Sequence, residues 1–254
     1  MFKNKNIIAL IPARGGSKSI PKKNIVDLGG FPLIAYSIAV AKLSNFISRI
    51  IVSTDSEEIA EISRYYGAEV PFMRPAEFST DTAGDLEVFK HAIEWLEINE
   101  NYEPEYLVHL RPTTPLRDPE LVDKGIEEIL KNQDATSLRS GHQLREPPHK
   151  CFVLENGFFV GLFPEDKRPD YANLPRQSFP AVYHPDGYVD IWKTKTIKET
   201  GTLHGSKILA FIAPDAGELD TLKDLEFIKF KLEKENYKIY DYLKTQYDNF
   251  DKVF

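Results

Sequence analysis

Short apolar runs alternate with longer segments of helical periodicity along the first half of this chain. The apolar runs have the length and composition of strands buried on both faces, whereas the longer segments repeat apolar residues with the period of an α-helix. The predicted elements are strands at 7–11, 49–53 and 106–110 and helices at 31–43, 56–66, 84–98 and 118–131. This alternation predicts an α/β fold: a Rossmann-like, mostly parallel sheet with helices on both faces.

Residues at the ends of two predicted helices support their boundaries. Ser56 offers the side-chain oxygen that an N-cap requires, and Gly67 is a typical residue after a helix C-terminus. Asp118 followed by Pro119 is a typical helix start. These signals agree with the periodicity.

The pattern becomes less regular from residue 135 onward. Segment 140–180 holds many Pro, charged and aromatic residues and a short β-like piece at 151–154, which predicts an excursion from the main sheet. Beyond it we predict a core strand at 207–212 and a helix at 221–235, followed by a tail to residue 254 that is rich in Tyr and acids. The chain has no long linker, so we predict a single domain over 1–254.

Composition excludes several classes of protein. With 254 residues and 42% hydrophobic content the chain can bury a sizeable core, and its one cysteine, Cys151, excludes a disulfide framework. The net charge of −7 argues against nucleic-acid binding. No signal-peptide pattern and no apolar run of membrane-spanning length occurs in the sequence, so our interpretation is a cytoplasmic protein without a membrane partner.

The first predicted strand opens onto a basic, glycine-containing loop. Between residues 12 and 24 stand Gly15 and Gly16 together with four cations and no acid; the cations are Arg14, Lys18, Lys22 and Lys23. Small residues that expose backbone N–H groups, with cations beside them, favour a polyphosphate ligand. The string matches neither the Walker loop nor the GxGxxG fingerprint. The alternative interpretation is a solvated basic turn.

The loop sequence ARGGSKSIPKKN, at 13–24, resembles the nucleotide-binding signature of the acylneuraminate cytidylyltransferases. These enzymes join sialic acid and related nine-carbon acidic sugars to CMP. Further similar segments follow in the family's order: IIVSTDSEEIAEISRYYGAEV at 50–70, RPAEFSTDTAG at 74–84, RPTTPLRDP at 111–119, PRQSFPAVYHPDG at 175–187 and ELDT at 218–221. Several ordered motifs are much harder to match by chance than one.

The resemblance implies a nucleotide site for CTP. Its phosphate-side residues would be Arg14, Gly15, Gly16, Ser17, Lys18 and Lys23, with Asn24 near the nucleoside and with Arg74 and Asp81 also on the nucleotide side. We expect catalysis to depend on Arg14, Lys23 and Asp220, because they would align the triphosphate and offset its charge. Lys22 occupies a variable family position, so a solvated side chain is expected there.

The resemblance also implies a divalent cation, Mg²⁺ or Mn²⁺, bound by Asp220. Glu218 and Asp220 are spaced by one residue, and two carboxylates so spaced on an extended segment point the same way. Glu218 therefore has three open roles: direct ligation, ligation through water, or capping of the following helix. A helix N-cap is also the alternative for Asp220.

Sugar-side residues follow from the same resemblance. Residues expected to contact the acidic sugar are Arg111, Lys150, Arg176, Asp186 and Asp190. Arg111 stands where the sialic acid enzymes commonly have Gln, Asp190 stands for a Tyr, and Leu203 with His204 stand for an aromatic pair. These departures predict a more polar pocket and a substrate with extra polar substituents, among which we consider an amine, and not N-acetylneuraminate.

The expected partners are CTP, an acidic sugar and a second copy of the chain. The homodimer would form through 140–180, where Phe152, Phe158, Phe159 and Phe163 provide apolar surface. Two other functions stay open: a nucleotidyltransferase for another base or an octulosonate sugar, and a nucleotide-binding homologue without activity. Lys23 and Asp220 argue against the latter, because a binding-only protein has less need of a metal carboxylate.

Overall fold

The computed structural model describes residues 6–247, so the first five residues and the end of the predicted tail lie outside it. In this part of the chain the strands are β1 (Ile7–Pro12), β2 (Asp27–Leu28), β3 (Phe31–Pro32), β4 (Arg49–Ser53), β5 (Tyr106–His109), β6 (Ser137–Gln143), β7 (Phe152–Glu155), β8 (Phe158–Gly161), β9 (Tyr183–Lys193) and β10 (Ile208–Ile212). The α-helices are α1 (Leu33–Leu43), α2 (Glu57–Tyr65), α3 (Asp85–Glu100), α4 (Pro119–Lys131), α5 (Thr194–Thr200), α6 (Leu222–Lys234) and α7 (Lys238–Gln246).

The main sheet is mostly parallel, as predicted. Its strand order is β10-β6-β9-β5-β1-β4, and β1 pairs in parallel with both β4 and β5. β6 and β10 are parallel to each other, whereas β9 runs antiparallel to its neighbours β5 and β6. The carboxyl ends of the parallel strands therefore meet at one edge of the sheet, and β9 begins at that same edge.

Helices cover both faces of this sheet, as the alternation of elements predicted. Along β1, Ile7, Ala9 and Ile11 face a core built with α1, α2, α4, α6 and α7, and Ile8 and Leu10 face a core built with α3 and α5. Alternate side chains of a strand point to opposite faces, so a strand that is apolar throughout must be buried on both. We refer below to the side that carries α3 as the α3 face.

The helix boundaries predicted from capping residues are confirmed. The Ser56 side chain accepts a hydrogen bond from the Ile59 N–H at the start of α2, and Asp118 accepts one from the Glu120 N–H at the start of α4. Gly67 follows α2 with a φ of 85°, which favours glycine.

The second half of the chain contains one strand that was not predicted and one whose position differs from the prediction. The unpredicted strand is β9, which contains Pro185 and Gly187, residues that disfavour a strand interior; the structure accommodates them with a register shift opposite Arg139 and Gly141. The segment predicted as a core strand at 207–212 is β10, which lies at the edge of the sheet and leaves Ile208 and Ile212 exposed on one side.

The predicted excursion begins later than expected, because β6 keeps the chain in the main sheet up to Gln143. Beyond it, β7 and β8 form a two-stranded hairpin outside the main sheet. The rings of Phe158 and Phe159 are 75% and 77% exposed there. Phe163, predicted as exposed apolar surface, is instead partly buried and stacks on His149 at a centroid distance of 4.1 Å.

In the described part of the chain, no helix combines the length and the apolar character needed to cross a membrane.

Candidate active site

A cavity of about 570 Å³ lies at the carboxyl ends of β1 and β5. Its wall includes nine of the residues predicted to bind the nucleotide or the sugar: Arg14, Gly16, Ser17, Lys18, Lys23, Asn24, Arg74, Asp81 and Arg111. In open α/β sheets, ligands bind outside the carboxyl ends of the strands, which is the edge where this cavity lies. We call this space the phosphate-side cavity.

Two hydrogen bonds hold the loop after β1 in position. The Asn24 side-chain amide donates to the Arg14 carbonyl at 2.8 Å, so Asn24 supports the loop from within. The Gly15 N–H donates to the Asp55 carboxylate at 2.7 Å. A side chain at Gly15 would bring its Cβ within 3.1 Å of the Ser56 Cβ, so the residue permits close packing. In this structure Asp55 accepts the hydrogen bond from the Gly15 N–H, and the binding of a ligand by Gly15 stays a prediction.

Exposed carboxylates accompany the cations of this cavity. Asp81 lies 2.9 Å from the Arg14 guanidinium and 2.5 Å from the Lys18 ammonium. The hydrogen bond from Lys18 lowers the pKa of the Asp81 carboxyl, and Arg14 adds to this effect. Exposed ion pairs contribute little to stability, so a multiply charged phosphate ligand can displace the carboxylate at small cost.

Lys22 points away from the cavity. Its backbone is left-handed with a φ of 53°, and its ammonium lies 2.7 Å from Glu58 on α2. This solvated position is the one predicted for it.

Arg74 supplies a fixed positive charge to the cavity wall. It is 6% exposed, and its guanidinium donates to the Ser53 hydroxyl at 3.0 Å and to the Ser53 carbonyl. Burial lowers the pKa of Arg74 to about 10, so the side chain stays charged at neutral pH. Its hydrogen bonds to the end of β4 hold this charge in place.

Asp220 contacts a residue of the cavity wall without lining the cavity itself. The Leu219 N–H donates to the Thr113 carbonyl at 2.8 Å, and this bond fixes the segment after β10 to the loop after β5. Asp220 then lies 3.1 Å from Lys23. The N-cap of α6 is Thr221, which forms a capping box with Asp224. The alternative that Asp220 caps the helix is therefore wrong, and its carboxylate is 64% exposed beside the loop cation.

A second cavity, of about 720 Å³, opens from the first. The two share wall residues, among them Arg111 and Asp85, whose side chains lie 3.1 Å apart. Wall residues of the second cavity that the first does not share include Arg139, Trp192, Leu203 and His204. We call this space the sugar-side cavity, and the region around Arg111 the seam.

Arg117 is a functional residue that sequence reasoning missed, although it lies within the quoted RPTTPLRDP motif. It is 1% exposed, and its guanidinium donates to the carbonyls of Arg111, Gly187 and Tyr188 at 2.9, 2.9 and 2.5 Å. Burial lowers the pKa of Arg117 to about 9. The side chain thus joins the loop after β5 to the start of β9 and positions the Arg111 backbone at the seam.

Asp186 and Asp190, two of the predicted sugar contacts, do not line either cavity. Asp186 is 8% exposed and accepts hydrogen bonds from the Ser140 hydroxyl at 2.6 Å and the Tyr188 N–H at 3.0 Å. Asp190 is 2% exposed, because β9 carries it into the interior of the sheet.

Lys150 and Arg176 also lie away from both cavities of the single chain. Both belong to the excursion, where Lys150 lies 3.4 Å from Glu146 and Arg176 donates to the Arg145 carbonyl at 3.2 Å. Both residues lie in motifs shared with the family. Their segment lies outside the main sheet, however, and neither residue lines a cavity at the seam. Of the predicted sugar-side residues, Arg111 lines both cavities.

The fold resembles solved nucleotide-dependent synthases. CMP:2-keto-3-deoxy-manno-octonic acid synthetase, solved in complex with CTP, superimposes with a TM-score of 0.65 at 16% identity, covering 91% of this chain and all of that one. A 4-diphosphocytidyl-2C-methyl-D-erythritol synthase from Anaerococcus prevotii superimposes with a TM-score of 0.60 at 13% identity, covering 90% of this chain and 99% of that one. These likenesses show that the chain shares the fold of those proteins.

The chain belongs to the cytidylyltransferase family, whose model matches residues 8–152. A pseudaminic acid cytidylyltransferase from Campylobacter jejuni is 33% identical over 87% of this chain and 94% of that protein. An N-acylneuraminate cytidylyltransferase from Escherichia coli is also 33% identical over 87% of this chain, and the match covers 50% of that protein. The resemblance to the acylneuraminate cytidylyltransferases is thereby confirmed, and the protein is an enzyme of this type.

Proposed function

We propose that this enzyme transfers CMP from CTP to the anomeric hydroxyl of a nonulosonic acid and releases pyrophosphate. The observation that carries the proposal is the junction of the two cavities at Arg111. One cavity has the cations that a triphosphate requires, and the other has the size and polar wall that suit an acidic sugar. The names of the relatives that match most of this chain, pseudaminic acid and N-acylneuraminate cytidylyltransferases, support a nonulosonic acid.

The protein's part in this reaction is alignment and charge compensation. The anomeric oxygen forms a bond to the α-phosphorus as the bond from that phosphorus to the β-phosphate oxygen breaks. Arg14, Lys18 and Lys23 would hold the triphosphate, and buried Arg74 would add a positive charge that needs no reorganisation. Arg111 at the seam would stabilise charge where the two substrates meet.

The donor set near Lys23 fits a divalent cation shared with the triphosphate. Among residues 6–247 no cluster of three metal-ligating side chains occurs, so a complete protein cage is absent there. Mg²⁺ commonly takes one or two carboxylates and completes its shell with water and substrate phosphates, and Asp220 and Glu218 are exposed carboxylates separated by one residue. We propose that these two residues hold Mg²⁺ or Mn²⁺, which when bound supplies positive charge to the departing pyrophosphate.

A substrate matrix tests this function. Pyrophosphate release is measured for each common nucleoside triphosphate with a nonulosonic acid (a pseudaminic acid, N-acetylneuraminate) and with the octulosonate. We expect the highest kcat/KM with CTP and a nonulosonic acid. Preference for the octulosonate or for another base would favour the related nucleotidyltransferase instead. CTP binding without release of pyrophosphate for any sugar acid would indicate a homologue without activity.

We also propose that two copies of the chain associate through the excursion. The β7–β8 hairpin exposes Phe152, Phe158 and Phe159, and the edge strand β10 exposes Ile208 and Ile212. Exposed apolar rings on a projecting hairpin are expected to be covered by a partner. Light scattering after size-exclusion chromatography should give a dimer mass, and Phe158→Ser with Phe159→Ser should shift it toward the monomer. A wild-type monomer at micromolar concentration would contradict this proposal.

A further inference from the structure

Asp85 is a carboxylic acid at the seam between the two cavities. The phosphate-side cavity and the sugar-side cavity share five wall residues, which are Phe78, Thr80, Ala83, Asp85 and Arg111. Asp85 is the one acid in this shared set, since the other four carry an aromatic ring, a hydroxyl, a methyl group and a guanidinium. A side chain that can accept a proton at neutral pH therefore lies where the two substrates would meet.

The start of α3 and the loop after β5 together hold this carboxylate in place. Asp85 is the first residue of α3, directly after the N-cap Gly84, and the helix dipole favours an acid in the first turn. Its side chain is 34% exposed, and Oδ2 accepts a hydrogen bond from the Arg111 guanidinium at 3.1 Å. No other hydrogen bond to this carboxylate occurs within residues 6–247, so Oδ1 stays available to a bound molecule.

The surrounding charges keep Asp85 ionised in the absence of substrate. The charged and titratable groups that act on it from neighbouring elements are Arg74, His109, Arg111, Asp190 and His204. Burial alone would raise the pKa of the Asp85 carboxyl, but the attraction of His109, Arg111 and Arg74 holds this pKa below its ordinary value. Burial lowers the pKa of His109 to about 3, so its ring is neutral at pH 7 and the attraction at that pH comes from the two arginines.

Arg111 determines which part of the sugar reaches Asp85. A guanidinium has several N–H donors, and Asp85 accepts from one nitrogen of Arg111, so the remaining donors can bind the carboxylate of a sugar acid. In a nonulosonic acid, the carboxylate and the reacting hydroxyl are attached to the same anomeric carbon. A sugar whose carboxylate binds Arg111 therefore brings its anomeric hydroxyl to the side of the guanidinium on which Asp85 lies.

We propose that Asp85 is the general base of the reaction and accepts the proton of the anomeric hydroxyl as that oxygen attacks the α-phosphorus. This inference rests on the proposed function and adds a catalytic residue to it. The anomeric oxygen forms its bond to phosphorus while the bond from phosphorus to the β-phosphate oxygen breaks, and its electron pair leaves with pyrophosphate. The proton stays on Asp85 and passes to water after the products depart.

Substrate binding should make Asp85 a stronger base. The negative charges of the triphosphate and of the sugar carboxylate offset the positive charges of Arg74 and Arg111, so the pKa of Asp85 rises when both substrates are bound. A carboxylate whose pKa lies closer to the working pH is a more effective proton acceptor. The protonation of Asp85 should then appear as an acid limb in the pH profile of kcat, measured with both substrates at saturation.

Asp85→Asn tests this role, because the carboxamide keeps an oxygen for Arg111 to bind but does not accept a proton. We expect kcat to fall about 100- to 1,000-fold, with small changes in the KM values for CTP and the sugar. The acid limb of the kcat profile should be present in the wild type and absent in Asp85→Asn. Asp85→Glu keeps the base but displaces it by one methylene, so it should retain the acid limb at a reduced kcat. Glu94→Gln is the matched control, since Glu94 is an exposed acid on the same helix and lines neither cavity.

The outcomes distinguish this inference from the proposed function. If Asp85 only positions Arg111, Asp85→Asn should raise the sugar KM and keep the acid limb of kcat. That result, or a kcat close to the wild type, in an enzyme that is active on a nonulosonic acid would overturn the inference and leave the proposed function intact. If Asp85→Asn does not fold, Asp85→Glu carries the test, and a wild-type kcat in that variant would overturn the inference. A wild-type enzyme without activity on any nonulosonic acid would contradict the proposed function, and the inference with it.

Discussion

The two cavities that meet at Arg111 are built in opposite ways. On the phosphate side, Lys18 lies on an exposed loop and pairs with exposed Asp81 at 2.5 Å. On the sugar side, Asp190 is buried within the sheet and holds Arg139 through an ionic contact of 3.6 Å. On the phosphate side, a charged ligand can replace a weak surface contact. On the sugar side, the charged groups are largely shielded from water and are already held in position.

This difference predicts how a charge deletion in each cavity affects substrate use and stability. Deleting a charge on the phosphate side should weaken the use of CTP and leave the fold intact, because the loop cations support little of the structure. Changing a charge on the sugar side should also affect stability, because the Asp190 side chain lies in the core. The experiments below test this contrast from the largest expected effect to the smallest.

The largest effects are expected for Arg14→Ala and Lys23→Ala. Removing one partner from a charged phosphate contact costs about 2 to 5 kcal/mol, and we expect this loss in kcat/KM for CTP. Lys22→Ala is the matched control, because Lys22 lies in the same loop and pairs with Glu58 instead of lining the cavity. Nucleotide titration and steady-state kinetics provide the measurement. Equal effects for Lys22 and Lys23 would show that the loop acts only through its net charge.

Asp220→Asn is expected to reduce kcat about 100- to 1,000-fold, the magnitude typical of losing one preorganised electrostatic group. The reason is the proposed loss of a metal carboxylate, so the remaining activity should require a higher Mg²⁺ concentration. Asp215→Asn serves as the control, because Asp215 is exposed on the same segment and accepts its hydrogen bond from the nearby Gly217 N–H. Wild-type turnover by Asp220→Asn in Mg²⁺ would contradict the metal assignment.

The phosphate side was predictable because its residues are contiguous in sequence. The loop at 13–24 carries its glycines and cations in one string, and its position after an apolar strand already indicates the edge of a parallel sheet. Even here one local contact was not predicted: Gly15 donates its N–H to Asp55. That contact joins residues 40 positions apart, and loop composition does not indicate it.

The sugar side was not predictable in the same way, because strand register assembles it. Arg139 and Asp190 become neighbours only once β9 inserts antiparallel between β5 and β6. Pro185 and Gly187 are unusual inside a strand, so β9 was not predicted and Asp190 was expected to contact the sugar. Arg117 was missed for a related reason: an arginine in a loop motif does not reveal that it will be buried against three backbone carbonyls.

Asp190→Asn should also change the dependence of stability on pH. Burial raises the pKa of Asp190 to about 6 despite the attraction of Arg139 and Arg111. The folded state therefore favours the protonated carboxyl, and wild-type stability relative to Asp190→Asn should fall as pH rises from about 4 to about 6 and stay constant above.

The total change in the free energy of unfolding of the wild type relative to Asp190→Asn is expected to be about 3 kcal/mol, because the pKa shifts by roughly two units. Urea unfolding of both proteins at several pH values measures it, and the variant should gain relative stability at neutral pH. Other groups that titrate in both proteins cancel in the comparison. A difference that is constant across this pH range would show that Asp190 keeps the same charge in the folded and unfolded states.

The smallest expected effect is the response to salt, and it compares the two cavities within one unmodified enzyme. Exposed charges are screened strongly over distances near the Debye length, whereas buried pairs are screened much less. Raising the salt concentration from about 0.05 to about 0.3 M should therefore increase the KM for CTP about 3- to 5-fold and that for the sugar acid less than about 2-fold. The carboxylate of the sugar is expected to contact Arg111 at the seam, and this contact accounts for the smaller salt dependence of the sugar KM. A sugar KM that rises as steeply as that for CTP would mean that the sugar-side cavity binds through exposed charge, and the contrast between the two cavities would then be wrong.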